Sequence, residues 1–242
     1  MHSVVVITAK QLKEAALPPF NGFSPETFSF LSDLKENNKR SWFEANRDRY
    51  EAFWKKPALD FIEALRPGMA AMEPGLKAEA KLNGSLRRIN RDVRFSADKS
   101  PYEPMLHLIF WPGDHPTRGA GFHFVLDADG VGCGAGRWGF DGPVLARYRD
   151  RLKVAAERDA LLVALEQAAA VGCHLDEPHL KNIPKGFDPA PDWDYLLRYK
   201  GIVARTMEGR MMPGWIGTDK AVDEALNRAR ALMPLIGWLH AL

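Results

Sequence analysis

The sequence predicts an α+β fold, with an antiparallel central sheet flanked by N-terminal and C-terminal helices. Three observations predict it. From Phe20 to Arg66 the apolar side chains recur at helical spacing. Met105 to Trp111 and Phe122 to Leu126 change period, to short apolar or alternating runs that read as strands. The C-terminal segment then returns to helical spacing, and segregated helices and strands argue against an alternating parallel α/β pattern.

In order, residues 1–20 read as a poorly ordered lead-in with a short strand at Val4 to Ile7, and residues 21–242 as a single α+β domain. Ser24-Pro25-Glu26 opens the first helix: Ser24 can cap, Pro25 suits the first helical position and Glu26 meets the positive helix end. Asn37-Asn38 ends it, because asparagine tolerates left-handed geometry. A second helix runs from Ser41 to Lys55, and Pro57 imposes a kink or a restart. Leu59, Ile62 and Leu65 continue the spacing until Pro67-Gly68 stops it. The aromatic residues of this layer read as core.

Asp127-Ala128-Asp129-Gly130 reads as a hairpin loop, and the Asp127/Asp129 pair belongs to that turn. In the returning strand Gly130, Gly132, Gly134 and Gly136 share one side, because strand side chains alternate. A face without side chains admits a helix, another backbone or a ligand. Asp141-Gly142-Pro143 opens a helix carrying Leu145, Tyr148 and Leu152, and a further helix spans Asp159 to Val171. Residues 174–192 read as irregular, Trp193 to Arg198 as a helical turn and Tyr199 to Thr206 as a last strand. Thr218 caps a final helix that Pro234 restarts.

The 33 basic and 31 acidic residues leave a net charge of +2, which excludes a global basic field, argues against nucleic acid as a partner and makes any basic site local. Two cysteines do not make a disulfide framework, and no apolar run approaches the ~20 residues that span a bilayer. The expectation is a cytoplasmic protein without a membrane partner.

The densest cluster of functional groups is Arg87 to Tyr102, RRINRDVRFSADKSPY. Leu86 to Phe95 reads equally as strand or helix, and either places several guanidinium groups beside Asp92. Such forks match carboxylate or phosphate, and they repel one another unless an anion lies between. That anion is either internal, from Asp92 and Asp98, or a bound small molecule. As a ligand site, Arg88, Arg91 and Arg94, with Lys99 and Arg137, would hold the anion. Trp42 and Trp138 would wall it, and His123 or Asp92 would move protons. Asp98 and Tyr102 complete the loop.

The run FNGFSPETFSFLSDLKENNKRSWFEANRDRYE, then RINRDVRFSADKSPY, GRW, KNIPKGF and YKG resembles the family catalogued as domain of unknown function 2461. The most specific parts are NN-x-x-x-WF at Asn37 to Phe43 and R-D-x-RFS-x-DKSPY at Arg91 to Tyr102. The resemblance covers the chain from Phe20 onward, with departures at Phe110 to Gly121 and Met207 to Trp215. It implies one integral α+β domain and no assigned activity.

Other motifs carry less. GVGCGAG is similar to a dinucleotide loop, but that fingerprint must lie between a strand and a helix start, and these glycines alternate within a strand. His107, His115 and His123 are each eight apart, which converges no three imidazoles on one strand or helix, so no metal site is predicted. His123 reads as a hydrogen-bonded sheet histidine, and Cys133 as a small core residue. Two functions remain. One is a pocket for an anionic small molecule, enzymatic or not. The other is a non-catalytic module for nucleic acid or an acidic protein partner. Cofactor, reaction and oligomeric state stay open at this point.

Overall fold

In the computed structural model, which describes residues 19–116, 118–187, 192–206 and 211–242, helix α1 spans Pro25–Glu36. The strand read at Val4 to Ile7 lies outside the described residues. Ser24 holds the N-cap position in extended geometry, yet its hydroxyl serves the Glu26 carboxylate and not a backbone amide. Asn37 ends the helix without left-handed backbone (φ −118°). Its own N–H and its Nδ2 both donate to the Asp33 carbonyl.

The expected helix from Ser41 to Lys55 is present in extent but not in winding. It divides into α2 (Arg40–Ala45), one turn at Arg47–Arg49 and a π-helical segment, Tyr50–Lys55. The wider winding keeps Tyr50 and Trp54 stacked, with ring centroids 5.1 Å apart, and both buried. Trp54 donates from Nε1 to the Met105 carbonyl, which ties this layer to the sheet.

Helix α3 (Lys56–Met72) restarts at Pro57, as expected, but continues through Pro67-Gly68. Tertiary packing overrides the local signal here. Met69 is fully buried, and a β-carbon at residue 68 would lie 2.5 Å from Leu226 Cδ1, so the glycine admits a close helix crossing.

The sheet is antiparallel, in the order β1 (Met105–Phe110), β2 (Gly121–Asp127), β3 (Val131–Arg137), β5 (Ile202–Arg205), β4 (His174–Leu175). The β2–β3 turn is the expected one: Asp127 Oδ1 accepts from the amides of Asp129 and Gly130. The short β4 falls where the sequence reads as irregular. Two residues carry no period, so only pairing with β5 defines it. Beyond β1, the Arg87 amide donates to the His107 carbonyl and the Ile109 amide to the Ser85 carbonyl, so residues 85–87 extend the sheet edge.

The two faces of the sheet differ. Leu106, Leu108, Phe110, Phe122, Phe124 and Leu126 are all fully buried and face the helical layer, where Phe124 meets Phe61 of α3. The helices after β3 are α4 (Gly142–Lys153) and α5 (Ala155–Ala170), then a 3-10 turn at Asp194–Arg198 and α6 (Ala221–His240). Asp141 caps α4 by accepting from the Val144 amide, whereas α5 begins four residues before the expected Asp159. Helix α6 does not restart at Pro234 but runs through it. Leu232, Leu235 and Ile236 are buried on both sides of the proline, and their packing offsets a backbone bond whose loss costs about 3 kcal/mol. Among the described residues no helix is long and apolar enough to cross a membrane.

Candidate functional site

The second face of the sheet carries a cavity of about 580 Å³. Strand register explains its lining. His107 pairs with Val125, Ile109 with His123, His123 with Gly134, and Gly134 with Arg205, so all of these residues point to one side. Met105, Ile109, Val125 and Val203 make the walls apolar, Trp138 stands at one edge, and Gly132, Gly134 and Gly136 form a floor without side chains. Two of these glycines also admit the neighbouring strand. A β-carbon at residue 134 would lie 2.7 Å from Arg205 Cβ, and one at residue 136 would lie 2.2 Å from the Ile202 carbonyl oxygen.

At the centre His107 Nε2 and His123 Nδ1 are 2.8 Å apart. The two residues are diagonal neighbours across β1 and β2, within reach of long side chains. Burial, together with the Arg87 charge, pushes His107 down to about 4. Burial, then the charges of His107 and Arg87, push His123 to about 3. Both rings are therefore neutral near pH 7. In a neutral pair one ring donates and the other accepts, so the tautomer decides whether His123 Nε2 carries a proton or a lone pair.

Cationic groups flank the pair. Arg87 belongs to the edge segment beside His107. Arg205 lines the cavity, pairs with Asp176 at 2.8 Å and lies with its guanidinium 5.9 Å from the Trp138 ring centroid. A smaller recess of about 150 Å³ adjoins it and shares Trp138 and Val203.

Of the residues singled out from the sequence, the cavity gathers His123 and Trp138. Arg137 pairs with Ile202 at the end of β3 and is not among the lining residues. Trp42 packs in the helical layer, 5.9 Å from Phe30. The stretch Arg88 to Tyr102 forms a separate loop whose charges meet one another. Arg91 bonds Asp98 and approaches Glu103 at 3.4 Å, and Arg94 forks onto Asp92 at 2.7 and 2.9 Å. These contacts hold the Asp92 and Asp98 carboxyls at about 2. For Asp92 the Arg94 hydrogen bond is the largest cause, and for Asp98 the hydrogen bonds from Ser100 come before that from Arg91. Lys99 Nζ donates to the Val93 carbonyl. Arg88 is exposed, and its charge adds to the lowering at Asp92.

Tyr102 anchors the loop. Its ring stacks on Phe43 at 4.2 Å, and its backbone exchanges two hydrogen bonds with the Asn38 amide group, at 2.8 and 3.0 Å. The signature residues at Asn37 to Phe43 and at Arg91 to Tyr102 therefore meet in space.

Arg205 carries no signal in the sequence, Arg87 stands there only as the first residue of the arginine cluster, and His107 only as one of three histidines eight apart. Spacing tests convergence only within one strand or helix, whereas His107 and His123 converge across the β1–β2 pair, whose register spacing does not give. Among the described residues no group of three or more His, Cys, Asp or Glu is arranged to hold a metal ion.

The family model described as "Conserved hypothetical protein (DUF2461)" matches residues 26–238. Comparison with curated proteins and with solved structures found no match.

Proposed function

The chain belongs to this conserved hypothetical family, and we propose that it binds a small organic anion, a carboxylate or phosphate with an apolar body, in the cavity on the glycine face of the sheet. The observation that carries this reading is the neutral His107–His123 pair set in an apolar-walled cavity between Arg205 and the Arg87 edge. Apolar walls with few convergent polar groups are the usual composition of a ligand site. The anion meets Arg205, where a guanidinium fork suits its geometry. Its body lies over the glycine floor and against Trp138. His123 Nε2 donates to the ligand or accepts from it according to tautomer, and His107 sets that tautomer. In an enzyme the same nitrogen would be the general acid or base.

The test is a thermal-shift screen with inorganic phosphate, phosphomonoesters, monocarboxylates and dicarboxylates. A ligand at a hundredfold excess over Kd stabilises by about 2.7 kcal/mol, enough to read as a raised Tm. The expected result is a hit whose shift is lost in Arg205→Ala and in His123→Ala while Arg91→Ala retains it. Loss of the shift in Arg91→Ala alone would move the site to the Arg88–Tyr102 loop. No hit, with salt-sensitive binding to oligonucleotides or an acidic protein, would favour the interaction module.

A further inference from the structure

Beneath the cavity floor lie the chain's two cysteines. Cys133 and Cys173, 40 residues apart in sequence, place their sulfurs 3.5 Å from each other, and both are buried and unbonded. Cys133 sits in β3 between the floor glycines but pairs with Phe124, so its side chain lies on the helix-facing side of the sheet, and Cys173 immediately precedes β4. The Cys173 thiol has two acceptors within reach, Cys133 Sγ at 3.5 Å and the Cys133 carbonyl at 3.4 Å. Thr206 holds the backbone of Cys133 from the β5 side, with its amide on the Cys133 carbonyl at 2.9 Å. The hydrogen bond from Cys173 draws the Cys133 thiol below its ordinary range, and the Arg228 charge acts in the same direction. Cys133 is thus the thiolate-forming partner, and Cys173 the one placed to resolve it.

We propose that Cys133 and Cys173 form a redox pair that hydrogen peroxide closes to an intrachain disulfide. The sulfurs need to approach by roughly 1.5 Å to reach the bonded distance of about 2.05 Å. The Cys133 thiolate attacks a peroxide oxygen and the O–O bond breaks, giving a sulfenic acid and, with a proton, water. Cys173 then attacks Cys133 Sγ. The S–S bond forms, the S–O bond breaks and a second water leaves. Two electrons pass from the two sulfurs to the peroxide, and both thiol protons end in water. The bond would pin the seam of β3 and β4 on either side of β5, next to Arg205. This inference is independent of which anion the cavity takes.

The full chain is treated with hydrogen peroxide, denatured, exposed to a maleimide and weighed by intact-mass spectrometry. The expected product has lost two hydrogens (about 2 Da), takes up no maleimide, stays monomeric on a non-reducing gel and recovers both thiols with dithiothreitol. Its Tm lies above that of the reduced protein, because the cross-link closes a long loop in the unfolded chain. In Cys173→Ser the oxidation should stop at a sulfenic acid on Cys133, trapped by a dimedone probe. Two alkylatable thiols after treatment would overturn the proposal, as would a sulfinic acid on Cys133 in the wild type or a disulfide between two chains. The wild-type measurement decides even if Cys173→Ser does not fold.

Discussion

At Gly136 a β-carbon would lie 2.2 Å from the Ile202 carbonyl oxygen and 2.6 Å from Val203 Cα, both backbone atoms of β5. Neither neighbour is the end of a flexible side chain, so a methyl group there must part the strands. Gly136→Ala should lower stability by about 1–3 kcal/mol, the usual cost of overpacking, as read by urea denaturation. At Gly139, by contrast, no atom lies within 4 Å of an added β-carbon, and Gly139→Ala should be close to neutral. Equal costs at the two positions would show that the β3–β5 approach is not what demands glycine. Sequence alone placed these glycines on one face but left the reason open among helix, backbone and ligand. At Gly134 and Gly136 backbone is part of the answer, because β5 approaches them more closely than any side chain allows.

At the scale of elements, the Arg88–Tyr102 loop is held to the α1–α2 junction by the Tyr102–Phe43 stack and by the side-chain amide of Asn38. Asn38 donates from Nδ2 to the Tyr102 carbonyl and accepts from the Tyr102 amide. Removing it strands both backbone groups beside the buried Tyr102 ring, and Asn38→Ala should cost about 1–3 kcal/mol. Native-state hydrogen exchange should show the Arg91 amide, which bonds the Pro101 carbonyl, losing protection before the strand amides. Unchanged protection would mean that the Tyr102–Phe43 stack alone secures the loop. Much of this level was legible in the sequence. Alternation gave β1, β2 and β3, and aspartates and glycines gave the β2–β3 turn. What sequence could not supply was contact between distant segments. The buried neighbours of Pro67 and Pro234 carry α3 and α6 through residues that locally signal a break. The two-residue β4 exists only as a partner of β5. The histidine pair needs a register across the long β1–β2 connection, and Arg87 joins the cavity edge only because residues 85–87 add to β1. Of the arginines conspicuous in sequence, Arg91 and Arg94 are answered by neighbouring carboxylates.

For the whole molecule, the histidine pair makes stability depend on pH in a window separate from that of the carboxylates. His107 is pushed down to about 4 and His123 to about 3 from an ordinary value of 6.5. Between those limits the unfolded chain binds protons that the folded chain refuses, so the slope of unfolding free energy against pH is positive. The contribution of the neutral pair is complete above about pH 6.5 and is lost as pH falls toward 4. The smaller depression, that of His107 from 6.5 to about 4, corresponds to roughly 3–4 kcal/mol, and the two rings are not additive because each charge opposes the other. Asp92 and Asp98, held at about 2 from 3.8, act lower: their contribution is present above pH 4 and is lost as pH falls through 2. Urea midpoints measured from pH 7.5 to pH 4 should therefore fall steadily in the wild type. The double variant His107→Leu/His123→Leu should fall less steeply over the same range whatever its absolute stability, because the difference between the two curves isolates the pair. Parallel curves would mean that the imidazoles take up protons in the folded state at ordinary pH, and would leave the cavity charged where the proposed site requires it to be neutral.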